Sequence, residues 1–158
     1  MSPDLRHRNL PMLLLKAREA VMTQFRPVLN AHGVTEQQWR VLRALTQTGP
    51  LEPRQLSEAC QIVGPSLAGV LKRMEETGWV QREKMAADQR RVSVSLTPRS
   101  RRLVAKMAPL IEARYQAMEA LVGRDAIDAT YATLDRLLTC LGAAPAAAAK
   151  VSGRTPRV

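Results

Sequence analysis

Residues 62–102, IVGPSLAGVLKRMEETGWVQREKMAADQRRVSVSLTPRSRR, decide how this chain is organised. Pro65 follows Gly64 and suits the first turn of a helix, where its missing N–H costs no hydrogen bond. Leu67, Val70, Leu71 and Met74 recur at i, i+3, i+4 and i+7, which makes one apolar helical stripe. Gly78 is placed to stop that helix. Pro65, Ser66, Gly69, Lys72 and Arg73 fall off the stripe, small residues first and long cations after them. A helix of that shape can enter a major groove: the small residues let its backbone approach base edges, and the cations reach phosphates.

A hairpin follows at once. Trp79 to Glu83 and Val92 to Leu96 read as its strands, with Lys84 to Arg91 as a polar loop whose tip is Asp88-Gln89-Arg90-Arg91. Asp88 is placed to shape the tip. Gln89, Arg90 and Arg91 are candidates for contact with a minor groove or its phosphates. The plain alternative is a solvated charged turn, and the helix just before it argues for the nucleic-acid reading.

Asp88-Gln89-Arg90, followed by Val92-Ser93-Val94-Ser95-Leu96-Thr97, resembles the D-x-R…L-T signature of the MarR (multiple antibiotic resistance regulator) family of winged helix-turn-helix repressors. The family pattern has a glycine three residues after the Thr. Ser100 stands there in this chain, a departure expected to affect only the start of the next helix. Lys16-Ala17-Arg18-Glu19-Ala20, Phe25-Arg26-Pro27, Thr35 to Arg43, and Pro65-Ser66-Leu67 with Gly69 resemble the branch that regulates homoprotocatechuate degradation operons. The resemblance spans residues 9–142 and implies a homodimeric repressor that binds an inverted-repeat operator in double-stranded DNA and is released by a small aromatic acid.

Composition agrees with a polyanionic partner. Twenty-four Lys/Arg against fourteen Asp/Glu leave +10 on 158 residues. Nine Lys/Arg and four Asp/Glu lie between Gly64 and Arg102, so a quarter of the chain holds half the net charge. A membrane surface is anionic too, but the apolar run Leu10 to Leu15 is broken by Pro11, ends at Lys16 and is too short for a signal core or a span. With only Cys60 and Cys140 there is no disulfide framework, which fits a cytoplasmic protein. His7, His32 and the two distant cysteines form no metal set, and no phosphate loop or nucleophile motif is present. No cofactor and no catalytic residue are expected; a helical enzyme is the remote alternative.

The rest of the chain reads as helices. Residues 1–8 form a flexible polar arm and 10–31 a first helix, with Pro27 expected to bend it near Thr23. Thr35 and Gln38 make a capping box for a second helix that ends near Thr48. Leu51 adds a short edge strand, and 53–60 is a third helix. A long helix from Pro98 to Val122 and another from Arg124 to Leu141 follow, and 143–158 reads as a disordered tail. The fold class is therefore mainly α with a small β-wing: a DNA-reading lobe at 50–97 between dimerisation helices at 9–32 and 98–142. The terminal helices are apolar around much of their circumference and need covering, which a two-fold dimer supplies.

Arg18 is the odd residue of the first helix, because Leu15, Arg18, Met22, Phe25 and Leu29 share one face. A guanidinium there needs a partner. Glu19, a carboxylate of a second subunit, or a small organic acid held by two parallel hydrogen bonds would serve. Met22, Phe25 and Trp39 suit a flat ring; Arg43, one turn after Trp39 and able to face the same cavity, is a secondary candidate. Arg40 is a secondary candidate, with a surface ion pair to Glu36 as its sober reading. Cys60 is a candidate oxidant sensor, or else a small buried apolar residue; a lipid or antimicrobial effector is a further alternative.

Overall fold

The computed structural model describes residues 6–143. Most of the expected arm and tail therefore lies outside the described residues. Six helices and one hairpin follow in the order α1 (Leu10–Ala31), α2 (Glu36–Thr48), α3 (Pro53–Cys60), α4 (Gly64–Glu76), β1 (Val80–Met85), β2 (Asp88–Leu96), α5 (Pro98–Val122) and α6 (Arg124–Cys140). Local chemistry sets the boundaries. Asn9 caps α1 by accepting from the Met12 N–H at 3.0 Å. Thr35 and Gln38 form the expected capping box, with reciprocal bonds of 3.1 and 2.9 Å. Gly78 ends the α4 turn at φ +70°, a conformation open to glycine. α1 runs through Pro27 to Ala31 without interruption.

The core sits between α2, α3, α4 and the base of the hairpin. Val41, Leu42, Leu56, Leu67, Leu71, Met74 and Val94 are fully buried there, and Phe25 is its one buried aromatic ring. All four stripe residues of α4 face this core. α1 lies against α5, and α2 against both α3 and α5, so α2 joins the helical scaffold to the lobe that carries α4.

The hairpin is tighter than the charge pattern implied. Its strands pair antiparallel from Val80↔Leu96 to Lys84↔Val92, then slip at Lys84/Met85 so that Met85 faces Asp88. Only Ala86 and Ala87 connect them, and the expected loop of residues 84–91 is strand over most of its length. A ribbon exposed on both faces satisfies its backbone by pairing, whatever the polarity of its side chains. Apolar alternation, the signal that marks half-buried strands, was therefore missing where the ribbon leaves the core. Leu51 adds one bridge to Val94, with N–H···O distances of 3.1 and 2.8 Å.

Candidate DNA-reading surface and effector cleft

The outer face of α4 carries Pro65, Ser66, Gly69, Lys72 and Arg73, all exposed. A β-carbon at Gly69 would meet nothing within 4 Å, so no packing inside the chain requires a glycine there. Lys72 and Arg73 have no side-chain partner among the described residues, which leaves both charges available. The surface is a helix with a flat, small N-terminal half and a cationic C-terminal half, as the spacing implied.

The hairpin divides its two arginines between different tasks. Asp88 Oδ1 accepts from the Arg90 N–H at 2.9 Å and pins the tip. Gln89 Nε2 reaches the Met85 carbonyl at 3.3 Å. The Arg90 side chain projects with no partner among the described residues. Arg91 behaves otherwise: its guanidinium forms a two-pronged ion pair with Glu52, the residue that opens α3, with Nε to Oε2 at 3.2 Å. Hydrogen bonding to Arg91 holds the Glu52 carboxyl below its usual range. Arg91, expected among the DNA contacts, pairs with Glu52 and so braces the hairpin against α3. Arg82 adds a second tie, to Glu75 of α4 at 3.3 Å.

Ser100 does more than start a helix. It is completely buried, and its hydroxyl donates to the Trp79 carbonyl at 2.6 Å. The neighbouring Thr97 hydroxyl donates to the Gly78 carbonyl at 2.6 Å. Together they fasten the start of α5 to the α4–β1 turn.

On the opposite side of α2 the expected effector residues separate into two groups. Arg18 is half exposed and donates to Glu36 Oε2 at 3.1 Å. Its partner is therefore an internal carboxylate, supplied by the first turn of α2 and not by Glu19. Glu36 also accepts from Arg26 Nε at 2.7 Å, and Arg26 reaches Glu19 Oε2 at 2.8 Å. Hydrogen bonds to Arg26 lower both carboxyls below the usual range, with Arg18 adding to the effect on Glu36. Arg26 was not singled out in the sequence, although Glu19 seven residues earlier on the same helix was its one available signal.

The expected Glu36–Arg40 surface pair is absent, because Glu36 turns towards α1 and Arg40 towards α3. Arg40 Nη1 donates to the Cys60 and Gln61 carbonyls at 2.9 and 3.3 Å. A cation on those last carbonyls suits the negative end of α3. Arg40 thus ties α2 to the end of α3.

Arg43 goes the other way. Its Nη1 donates to the Tyr115 hydroxyl of α5 at 3.0 Å, with its Cζ 5.8 Å from the ring centroid. The Tyr115 ring lies 4.7 Å from that of Phe25, tilted by 53°. Met22 and Trp39 pack, half-buried, against the same core. No carboxylate pairs with Arg43 among the described residues. A guanidinium, a phenol hydroxyl and two rings therefore meet where α1, α2 and α5 join. Nothing in the sequence marks Tyr115 for this role; seventy-two residues separate it from Arg43, and no local pattern links them.

Cys60 is buried, and burial pushes its thiol up to about 11, against the smaller opposing effect of Arg40. A thiol so placed stays protonated and unreactive near neutral pH. It packs as a small residue of the core.

Comparison with known proteins gives the family. The sequence profile described as "MarR family" matches residues 32–91. The chain is 41% identical over 125 residues to the HTH-type transcriptional regulator FarR of Neisseria gonorrhoeae, covering 79% of this chain and 86% of that one. It is 41% identical over 114 residues to the homoprotocatechuate degradative operon repressor of Escherichia coli, covering 72% and 77%. The solved structure of NadR in complex with 4-hydroxyphenylacetate superposes with a TM-score of 0.75 at 39% identity, over 89% of this chain and 97% of that one.

Proposed function

The chain belongs to the MarR family of transcriptional regulators, and from that premise we propose that it is a homodimeric, sequence-specific repressor of a catabolic operon, released from DNA by a small aromatic carboxylic acid. It acts on the chromosome, in the cytoplasm. Among the described residues no helix is long and apolar enough to cross a membrane. The observation that carries the effector half is Arg43: a cation without an acid partner, bonded to a phenol hydroxyl beside two aromatic rings. A carboxylate takes two parallel hydrogen bonds from such a guanidinium. Its ring then lies against Phe25 and Tyr115, with Met22 and Trp39 closing the apolar sides. Arg18 is already paired with Glu36. Two relatives support the class of ligand: one is named for an operon that degrades an aromatic acid, and another was solved with 4-hydroxyphenylacetate.

Release follows from the position of α2. Arg43 ties it to α5, and one turn earlier Arg40 ties it to the end of α3, just before α4. A ligand that takes over Arg43 changes how α2 sits on α5 and carries the reading lobe with it. Coupling extends only as far as the ligand prefers the non-binding arrangement, and about 1–3 kcal/mol lowers operator affinity roughly 5- to 150-fold. Calorimetry with 4-hydroxyphenylacetate, paired with anisotropy on upstream promoter DNA, tests this. Arg43→Ala should bind DNA normally and lose the response to the acid. Unchanged acid affinity in a folded Arg43→Ala dimer would remove the cleft from the mechanism.

A further inference from the structure

We propose that Val63 reads the C5-methyl group of a thymine in each operator half-site. The inference rests on α4 being the groove-entering helix. Twelve large apolar side chains are exposed among the described residues, and eleven of them lie on or at the end of α1, α5 and α6. Those eleven are the faces a second subunit would cover. Val63 is the exception: it is 70% exposed and lies in the DNA-reading lobe.

Its place in the chain sharpens the point. Val63 is the N-cap of α4, with extended backbone at φ −63° and ψ 147°. Ser, Thr, Asp or Asn at that geometry accepts a helix N–H, and Val forgoes the bond. The residue neither caps its helix nor packs in the core. Beyond it along α4 the surface is cleared: a β-carbon at Gly64 or Gly69 would meet nothing within 4 Å, and Pro65 and Ser66 are exposed. The N-terminal residues of a recognition helix are the ones that face base edges. In the major groove the thymine methyl is the apolar feature, and an apolar side chain is its partner. Val63 offers two branched methyls at the N-terminal end of α4.

The test starts from a random duplex library, with wild-type protein selecting its own consensus. Each thymine of the consensus is then replaced in turn by deoxyuridine, which removes only the methyl. One buried methyl is worth about 0.8 kcal/mol, or about four-fold in affinity. Wild-type protein should lose about that much at one thymine per half-site. Val63→Ser and Val63→Asn, each checked for a wild-type melting curve, should become indifferent to the methyl at that position while keeping the remaining sequence preference. If both variants respond to every thymine-to-uridine change as the wild type does, Val63 reads no methyl. If wild-type protein enriches no sequence at all, it is the reading of α4 itself that fails.

Discussion

At Gly69 the absence of a side chain serves nothing inside the molecule, since a β-carbon there would stand in open space. Its value lies outside, where a backbone must come close to a base edge. Gly69→Leu should therefore leave the fold intact, and even stabilise α4 by about 0.5–1 kcal/mol because glycine weakens helix interiors. Operator binding should nonetheless be lost. Urea unfolding and anisotropy measured on one preparation separate the two effects, and a variant that binds like wild type would mean that α4 presents another face. Ser100 makes the opposite case, a polar residue whose whole value is internal. Ser100→Ala removes its hydroxyl bond to the Trp79 carbonyl, which keeps a second donor in the Thr97 N–H. The expected cost is about 1 kcal/mol, seen as a lower urea midpoint with an unchanged slope.

Among elements, the hairpin is held by Arg91 and reaches outward with Arg90. The two substitutions should differ in kind. Arg90→Ala should remove the proposed phosphate contact and flatten the log–log salt dependence by about 0.9. Arg91→Ala frees the hairpin from α3 and should weaken binding with little change in slope. Exchanging the pair, Glu52→Arg with Arg91→Glu, should restore part of what either single change loses, whereas a direct DNA contact by Arg91 would make the exchange worse still. The tie between α1 and α2 carries a pH signature. Glu19 and Glu36 have folded pKa values below the ordinary 4.5 because Arg26 hydrogen-bonds to both. Their stabilisation is complete above the unfolded value and is lost as the pH falls through the lowered folded values. Thermal melts should thus decline on the acid side of about pH 4.5, and Arg26→Gln should decline less steeply over the same interval. Equal slopes would show that the cluster contributes nothing to folding.

In the whole molecule the described helix α6 buries no residue, and the first half of α1 exposes Leu10, Met12, Leu13, Leu14 and Leu15. Faces so apolar call for a partner, and the proposed second copy would both cover them and place two α4 helices for two half-sites. Leu13→Asp should shift sedimentation towards monomer. Operator affinity should then fall by about 10²-fold or more, since the half-sites lose their shared binding. A variant that remains dimeric at micromolar concentration would move the interface elsewhere.

The sequence by itself determined the order and type of the helices, their caps at Thr35 and Gln38, the buried stripe of α4 and its small-then-cationic outer face. Each of these is a pattern with a period of a few residues, set by backbone geometry and local hydrogen bonding. The hairpin was legible as an element, but its length was not, because a ribbon exposed on both faces leaves no alternation to read. Tertiary structure alone decided who pairs with whom. Glu36 serves Arg18 and Arg26, Glu52 serves Arg91, and Tyr115 meets Arg43. Each of these contacts crosses between elements, where only the packing of one helix on another sets the distance. An arginine within a local pattern advertises a charge and a reach. Whether that charge is spent inside the fold, as at Arg40 and Arg91, or kept for DNA or an acid, as proposed for Arg90 and Arg43, depends on which carboxylate or carbonyl the folded chain brings within about 3 Å of it.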